Sequence, residues 1–228
     1  MVVRFGLLKK KKDLEILEFR NYWQEIHGPL AANLLKGLRG YVQNHIIKSI
    51  RKYHFPAIQN DLDGLSELWF DDLKMSKNCL TAEDLRSLII DEEKVFEDVN
   101  ILTTKQKIVV SPAHNKSSFK YINLVRRNPI LSEREFEHAW LGKHALLVNQ
   151  MKGLKGYTQN LVIERAVKRG ELATYEELPV DGLAEIWFQN PSRLMQNLAS
   201  PAGKKVIEHE KNLFSGMTTF LVEEHRVI

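Results

Sequence analysis

The chain has 228 residues, 33 basic against 29 acidic, for a net charge of +4, and a single cysteine. That length fits one large domain or two ordinary ones, and one thiol excludes an internal disulfide and points to a reducing cytoplasm. No apolar run approaches the ~20 residues of a membrane helix, the first residues lack signal-peptide order, and the one dense basic run, Lys9 to Lys12, has no aromatic-interleaved companion of the kind a nucleic-acid surface carries.

The elements follow from periodicity and punctuation. Val2 to Lys9 is short and apolar and predicts a buried strand. Asp13 is placed to cap a helix running to about Leu35, because Leu14, Leu17, Phe19, Tyr22, Trp23, Ile26 and Leu30 recur at helical spacing. Gly37 to Gly40 ends it, and Tyr41 to Ile50 alternates as a strand. After a polar connection, Arg51 to Leu62, a strand is expected over Gly64 to Phe70. Thr81-Ala-Glu-Asp84 has the form of a capping box for a helix to about Phe96, and Ile101 to Val110 closes the unit as a strand. Ser111 to Ser117 is polar and turn-rich and predicts a linker.

The same order then recurs. Strands are expected over Phe119 to Val125, Tyr157 to Ile163, Leu183 to Phe188 and Met217 to Glu223. Ser132-Glu-Arg-Glu135 is a second capping box before a long helix, and Ser200-Pro201 opens a helix ending near Phe214. The recurrence extends to residues. Phe19, Trp23 and His27 match Phe136, Trp140 and His144 at a spacing of 117; Gly40-Tyr41 matches Gly156-Tyr157 at 116; Asp63-Gly64-Leu65 matches Asp181-Gly182-Leu183 at 118. Intact blocks with drifting connections indicate a duplicated domain of about a hundred residues, longer than a solenoid unit. The predicted fold is α+β: two tandem ferredoxin-like βαββαβ domains, residues 1–110 and 118–228 around a linker at 111–117, with antiparallel sheets packed face to face.

Alternation within the strands sorts the candidate site residues. Gly64, Ser66, Leu68 and Phe70 should face the unit's own helices. Leu65, Glu67 and Trp69, like Leu183, Glu185 and Trp187, should face the other sheet, where a buried carboxylate needs a partner or a raised pKa. Glu67 and Glu185 either pair with a lysine or arginine and hold the sheets together, or line a cavity between them. Trp23 and His27 share a helix face, as do Trp140 and His144, and Tyr41, Gln43 and His45 share a strand face against Tyr157, Gln159 and Leu161. The second copy lacks the Gly28-Pro29 of the first and one strand histidine, so the two halves are expected to be unequal.

The pattern F-R-x-Y-W-x-E-x-H-G-P-L, then G-L-x-G-Y-V-Q-N-H, then D-G-L-x-E-L-W-F-D resembles the EthD family of the dimeric α/β barrel superfamily, strongly in the first half and more weakly in the second. The resemblance implies a barrel made by one chain acting as a pseudo-dimer, with a pocket in each half between sheet and long helix. Superfamily relatives include muconolactone isomerases, polyketide cyclases and dehydratases, cofactor-free monooxygenases and haem proteins. In isomerase-like members a helix histidine and a strand tyrosine line the pocket, which implies catalytic roles for His27, Tyr41, His144 and Tyr157. Trp23, Gln43, His45, Glu67 and Trp69, with Trp140, Gln159, Glu185 and Trp187, are the expected binding residues, and His54 is a further candidate. Histidine suits proton abstraction beside a carbonyl at neutral pH. The expected activity is that of an isomerase, cyclase or dehydratase acting on an aromatic, lactone or polyketide-like compound by histidine-mediated proton transfer in a pocket between the sheets. It would need no cofactor, metal, nucleic acid or membrane. A haem-binding or oxygen-activating barrel, and a non-catalytic accessory module, are the alternatives.

Overall fold

The computed structural model describes residues 1–50, 54–58, 61–112 and 118–228. Most of the expected linker, residues 113–117, and part of the connection after Ile50 lie outside them.

The strands are β1 (Val2–Lys10), β2 (Gly40–Ile50), β3 (Gly64–Phe70), β4 (Phe96–Val110), β5 (Phe119–Arg127), β6 (Leu154–Val167), β7 (Glu171–Leu172), β8 (Gly182–Phe188) and β9 (Phe214–Arg226). Their order is β4-β1-β3-β2-β9-β5-β8-β6-β7, every pair is antiparallel, and β4 also pairs with β6. The eight long strands therefore close into a barrel, with β7 outside the ring. The two groups of four strands do more than lie face to face. They are hydrogen-bonded edge to edge, β2 to β9 with His45 opposite Glu223 and β4 to β6 with Lys105 opposite Leu161. Strand edges left open are costly and aggregation-prone, and closure removes them.

The helices lie on the outside. The first helical segment is α1 (Ile16–Tyr22), a π-helical turn Trp23–His27, and α2 (Gly28–Leu34). It starts later than expected: Glu15, not Asp13, is the cap, and its backbone N–H donates to the Glu18 carboxylate at 3.2 Å. A short helix α3 (Leu73–Lys77) precedes α4 (Ala82–Val95), whose Thr81–Asp84 capping box is formed as expected. The second half repeats this with α5 (Glu133–Ala139), a π-helical turn Trp140–His144, α6 (Ala145–Asn149), α7 (Pro191–Ala199) and α8 (Pro201–Leu213). Neither α3 nor α7 was expected: α3 has only five residues, too few to show a period, whereas α7 carries Leu194 and Leu198 at helical spacing.

Two constraints repeat in both halves and explain the shared motifs. A Cβ on Gly64 would sit 2.4 Å from the Trp23 ring, and one on Gly182 would sit 2.3 Å from Trp140, so each indole needs a glycine beneath it. The aspartate before each glycine accepts a backbone N–H across the sheet, Asp63 from Lys10 at 2.9 Å and Asp181 from Arg127 at 2.8 Å. The D-G-L block is thus a packing motif.

The barrel interior is apolar around Val3, Phe5, Leu65, Ile122, Leu183 and Phe220, each buried side chain contributing about 1.5–3 kcal/mol. One charged cluster interrupts it. Lys120 Nζ lies 2.5 Å from Glu67, 2.9 Å from Glu185 and 3.1 Å from Glu224, and 4.9 Å from the Trp187 ring centre. Asn44 and Asn160 donate to Glu67 and Glu185, each at 2.7 Å. The glutamates therefore pair with a lysine, which holds strands of both halves together. Burial first, and the charge of Glu185 second, push Glu67 up to about 8 against the pull of Lys120.

Lys120→Met should cost about 3–5 kcal/mol in urea unfolding, because it strands buried carboxylates without a counter-charge. Adding Glu67→Gln and Glu185→Gln should recover most of that loss. Gly64→Ala should cost about 1–3 kcal/mol by overpacking against Trp23; an unchanged urea midpoint would show that the indole can shift aside.

Candidate active site

Alternation divides the expected site residues between two faces of the barrel wall. Glu67, Trp69, Glu185 and Trp187 point into the barrel, away from the helices, so they do not share a site with His27. On the outer face, Trp23, His27 and Tyr41 line a cavity of about 50 Å³ under the first helical layer, together with Gly6, Ser66 and Glu92. The cavity lies between sheet and helix, which corrects the expectation of proton transfer in a pocket between the sheets: the inward-facing side chains fill the barrel, and His27 lies on its outer side.

The π-helical turn positions His27. Such turns open the i→i−4 ladder and are frequent at functional sites. The carbonyl of Trp23 accepts the N–H of Gly28 and also Gln43 Nε2 at 2.7 Å, which ties the turn to β2. His27 Nδ1 is 2.9 Å from Asp91 Oδ2 on α4, and the Tyr22 hydroxyl donates to Asp91 Oδ1 at 2.5 Å. A carboxylate only accepts, so Nδ1 carries the proton in the neutral ring and Nε2 keeps a lone pair. Phe96 packs edge-on against His27 with ring centres 5.2 Å apart.

Burial lowers the His27 pKa and outweighs the hydrogen bond and charge of Asp91, which raise it. His27 is therefore neutral at pH 7. Burial pushes Asp91 up, but the hydrogen bonds from Tyr22 and His27 prevail and hold its carboxyl below the usual value. Tyr41 is pushed up to about 12, mainly by burial, and stays protonated; its oxygen accepts from Trp23 Nε1 at 3.1 Å.

Gln43 and His45 play supporting parts. His45 stacks on Trp23 with ring centres 4.7 Å apart and meets the His225 ring at 4.5 Å. Burial, with smaller contributions from His225 and Arg20, pushes it down to about 3. His54 does not line the cavity.

The second half differs at the corresponding positions. The position of Asp91, five residues before the last strand of its half, is held by His209, whose ring lies parallel to His144 at 5.5 Å. Gly6, flanked by Ser66 and Ile101, corresponds to Asn123, flanked by Ala184 and Thr219, and Thr219 donates to Asn123 at 2.6 Å. Phe55, from the first half, packs into the second half's helix–sheet core at 6.2 Å from Phe214. Gln159 repeats the tie to the π-turn, donating to the Trp140 carbonyl at 2.8 Å. Tyr157 and Trp140 are wholly buried there. The scaffold is thus duplicated, while the position of Asp91 is not kept as an acid.

Asp91, Tyr22, Glu92 and Lys120 escaped the sequence reading. Asp91 was findable: Leu88, Asp91 and Val95 are spaced three and four apart, so an acid interrupts the buried stripe of a capped helix.

A closed antiparallel barrel with paired helical layers outside it defines the class as a one-chain α/β barrel. The EthD-domain family model matches residues 11–100 and 128–216, and the chain belongs to the EthD family, as a tandem duplication of its domain. No curated protein matches the sequence. Among solved structures, an anthrone oxidase-like protein is 9% identical over 99% of this chain and 93% of its own, with a TM-score of 0.66. A candidate monooxygenase from Fusobacterium nucleatum is 9% identical over 98% and 91%, TM-score 0.63. A mutant chlorite dismutase from Candidatus Nitrospira defluvii is 9% identical over 97% and 91%, TM-score 0.53. These likenesses establish the fold. Among the described residues no helix is long and apolar enough to cross a membrane, and no group of three or more acidic, histidine or cysteine side chains is placed to hold a metal.

His45→Leu, which restores the residue type of Leu161, tests the cost of the neutral buried imidazole. The unfolded histidine takes up a proton below its ordinary value of 6.5 while the folded one resists to about 3, so this group's contribution to stability is lost as pH falls through that window. Relative to wild type, the variant should gain thermal stability steadily from pH 7 to pH 4. A constant difference would show that His45 is protonated in the fold.

Proposed function

We propose that the first half is a small-molecule site in which His27, oriented by Asp91, removes a proton from carbon beside a carbonyl. The observation that carries this reading is the His27–Asp91 pair at 2.9 Å, with His27 on the wall of the cavity. A neutral imidazole with Nδ1–H held by a carboxylate is the arrangement a general base needs. Tyr41, protonated and on the same wall, is suited to donate to the oxygen on which charge develops. Trp23 and Leu8 supply apolar wall for a lactone or aromatic ring. The second half, in this reading, completes the barrel and supports the first. We read residues 1–110 and 118–228 as two fused ferredoxin-like units, each contributing a β4-β1-β3-β2 type strand order, and the protein as cytoplasmic.

The cavity of about 50 Å³ is well below the roughly 300–1,000 Å³ of ordinary ligand pockets. The residues as placed do not fit a haem, and a five-membered ring enters only if a wall residue moves. A second reading, an oxygen-activating barrel using the same dyad, draws on the fold likeness to the anthrone oxidase-like protein. There the carbanion left by proton removal would react with dioxygen instead of being reprotonated.

The test uses α-angelica lactone as probe in deuterated buffer, followed by NMR. Deuterium should enter the α-carbon with wild type and about 10²–10⁴-fold more slowly with His27→Ala, while Asp91→Asn should fall between them. Wild type that brings in no deuterium would defeat the proton-transfer reading and favour an accessory role. Oxygen uptake with anthrone, lost in His27→Ala, would decide for the second reading.

A further inference from the structure

The cavity beside His27 has a second ionisable wall. Glu92, one residue after Asp91 on α4, lines it together with His27, Tyr41 and Arg4. Its carboxylate is 3.3 Å from the guanidinium of Arg169. Arg169 belongs to the other half of the chain, in the turn between β6 and β7. The turn is built for this reach. Lys168, Arg169 and Gly170 follow one another at φ 47°, 63° and 131°, and two successive side-chain-bearing residues in the left-handed region are unusual and costly. The turn docks on the first half through three bonds or ion pairs of Arg169: its N–H to the Val99 carbonyl at 3.0 Å, its Nη2 to the Phe96 carbonyl at 2.9 Å, and the pair with Glu92. Beyond it lies a surface groove of about 540 Å³ lined by Lys11, Lys12, Phe96 and Arg169. Arg169 and Phe96 line that groove and Glu92 lines the cavity, so the Arg169–Glu92 pair links the two.

We propose that Glu92 is the second proton-transferring group of this site and that Arg169, delivered by the other half of the chain, is its positioning residue. The proposal rests on the reading of His27 as the base and adds the acid that a shift of a double bond requires. In the step, His27 Nε2 takes the proton from the α-carbon and the C–H pair forms the new double bond. The pair of the old double bond takes a proton from the Glu92 carboxyl at the γ-carbon. Imidazolium and carboxylate are left, and the proton passes from one to the other before the next turnover. Atoms and electrons balance without an oxidant or a metal.

The electrostatics agree with this division of roles. Burial pushes Glu92 up to about 7 and Asp91 adds to the rise, while Arg169 and Arg4 pull it down. Tyr41, which also feels the charge of Glu92, stays protonated. Two groups in one cavity whose environments move them in opposite directions, His27 down and Glu92 up, are suited to act as base and acid near neutral pH.

Two measurements test the proposal. Infrared titration of the carboxyl stretch should show a group with a midpoint near neutral that is missing from Glu92→Gln; Glu67, also raised by burial, is told apart because that variant keeps it. Arg169→Ala should raise the midpoint by about 1–3 pH units, and Arg169→Lys should leave it near the wild-type value. With α-angelica lactone in deuterated buffer, Glu92→Gln should slow conversion to the conjugated isomer at least about tenfold more than it slows deuterium uptake, since only the second transfer needs the acid. Equal slowing of both, or a midpoint unmoved by Arg169→Ala, would overturn the proposal. Absence of deuterium uptake in wild type would overturn the base reading instead, and the infrared titration would still decide whether Arg169 governs Glu92.

Discussion

Closure of the sheet is the constraint from which the rest of the molecule follows. A four-stranded sheet with helices on one face has a bare face and two open edges, and each half of this chain presents both problems. Pairing β2 with β9 and β4 with β6 solves them together. The bare faces become the barrel interior and the edges vanish into backbone hydrogen bonds. Burial then dictates that any charge inside be matched, and the Lys120 cluster is matched by carboxylates from three strands of the two halves. Closure also fills the interior with side chains of the ring strands, and the cavity beside His27 lies on the outer face.

Duplication has kept the scaffold and let the sites diverge. The parts shared by both halves are those the packing demands: an indole over a glycine, a glutamine tying the π-turn, an aspartate bracing the strand start. The parts that differ are those that make or fill a cavity. Gly6, between Ser66 and Ile101, leaves space where Asn123, between Ala184 and Thr219, is filled in and bonded to Thr219. Asp91 orients a histidine where His209 stacks on one. The exchanged connections differ in the same sense, Phe55 filling the second half and Arg169 meeting a carboxylate at the rim of the first. A fused barrel can diverge in this way, whereas a homodimer must keep both sites alike.

Perturbed carboxylates occur in this protein for two separate reasons. Glu67 and Glu92 are both raised by burial. Glu67 faces the barrel interior, where Lys120 and Asn44 bond it; Glu92 faces a cavity shared with an imidazole. The raised value alone does not separate these cases, and what the group can reach does.

Local patterns in the sequence determined the duplication, the order of long elements, the capping boxes at Thr81 and Ser132 and the two faces of each strand, because periods of two and 3.6 residues and the side-chain chemistry of caps act over a few neighbours. The Trp–His pairs were legible for the same reason, four residues apart on one helix. Only the tertiary structure decided that the sheets join at their edges, that Lys120 neutralises Glu67 and Glu185 across 53 and 65 residues of sequence, and that the cavity lies under the helices. It also decided that Asp91 meets His27 from a separate helix 64 residues on, and that Arg169 crosses from one half to the other. Contacts between distant segments depend on how strands register and how helices dock, and no spacing within either segment encodes the partner that the fold brings to it.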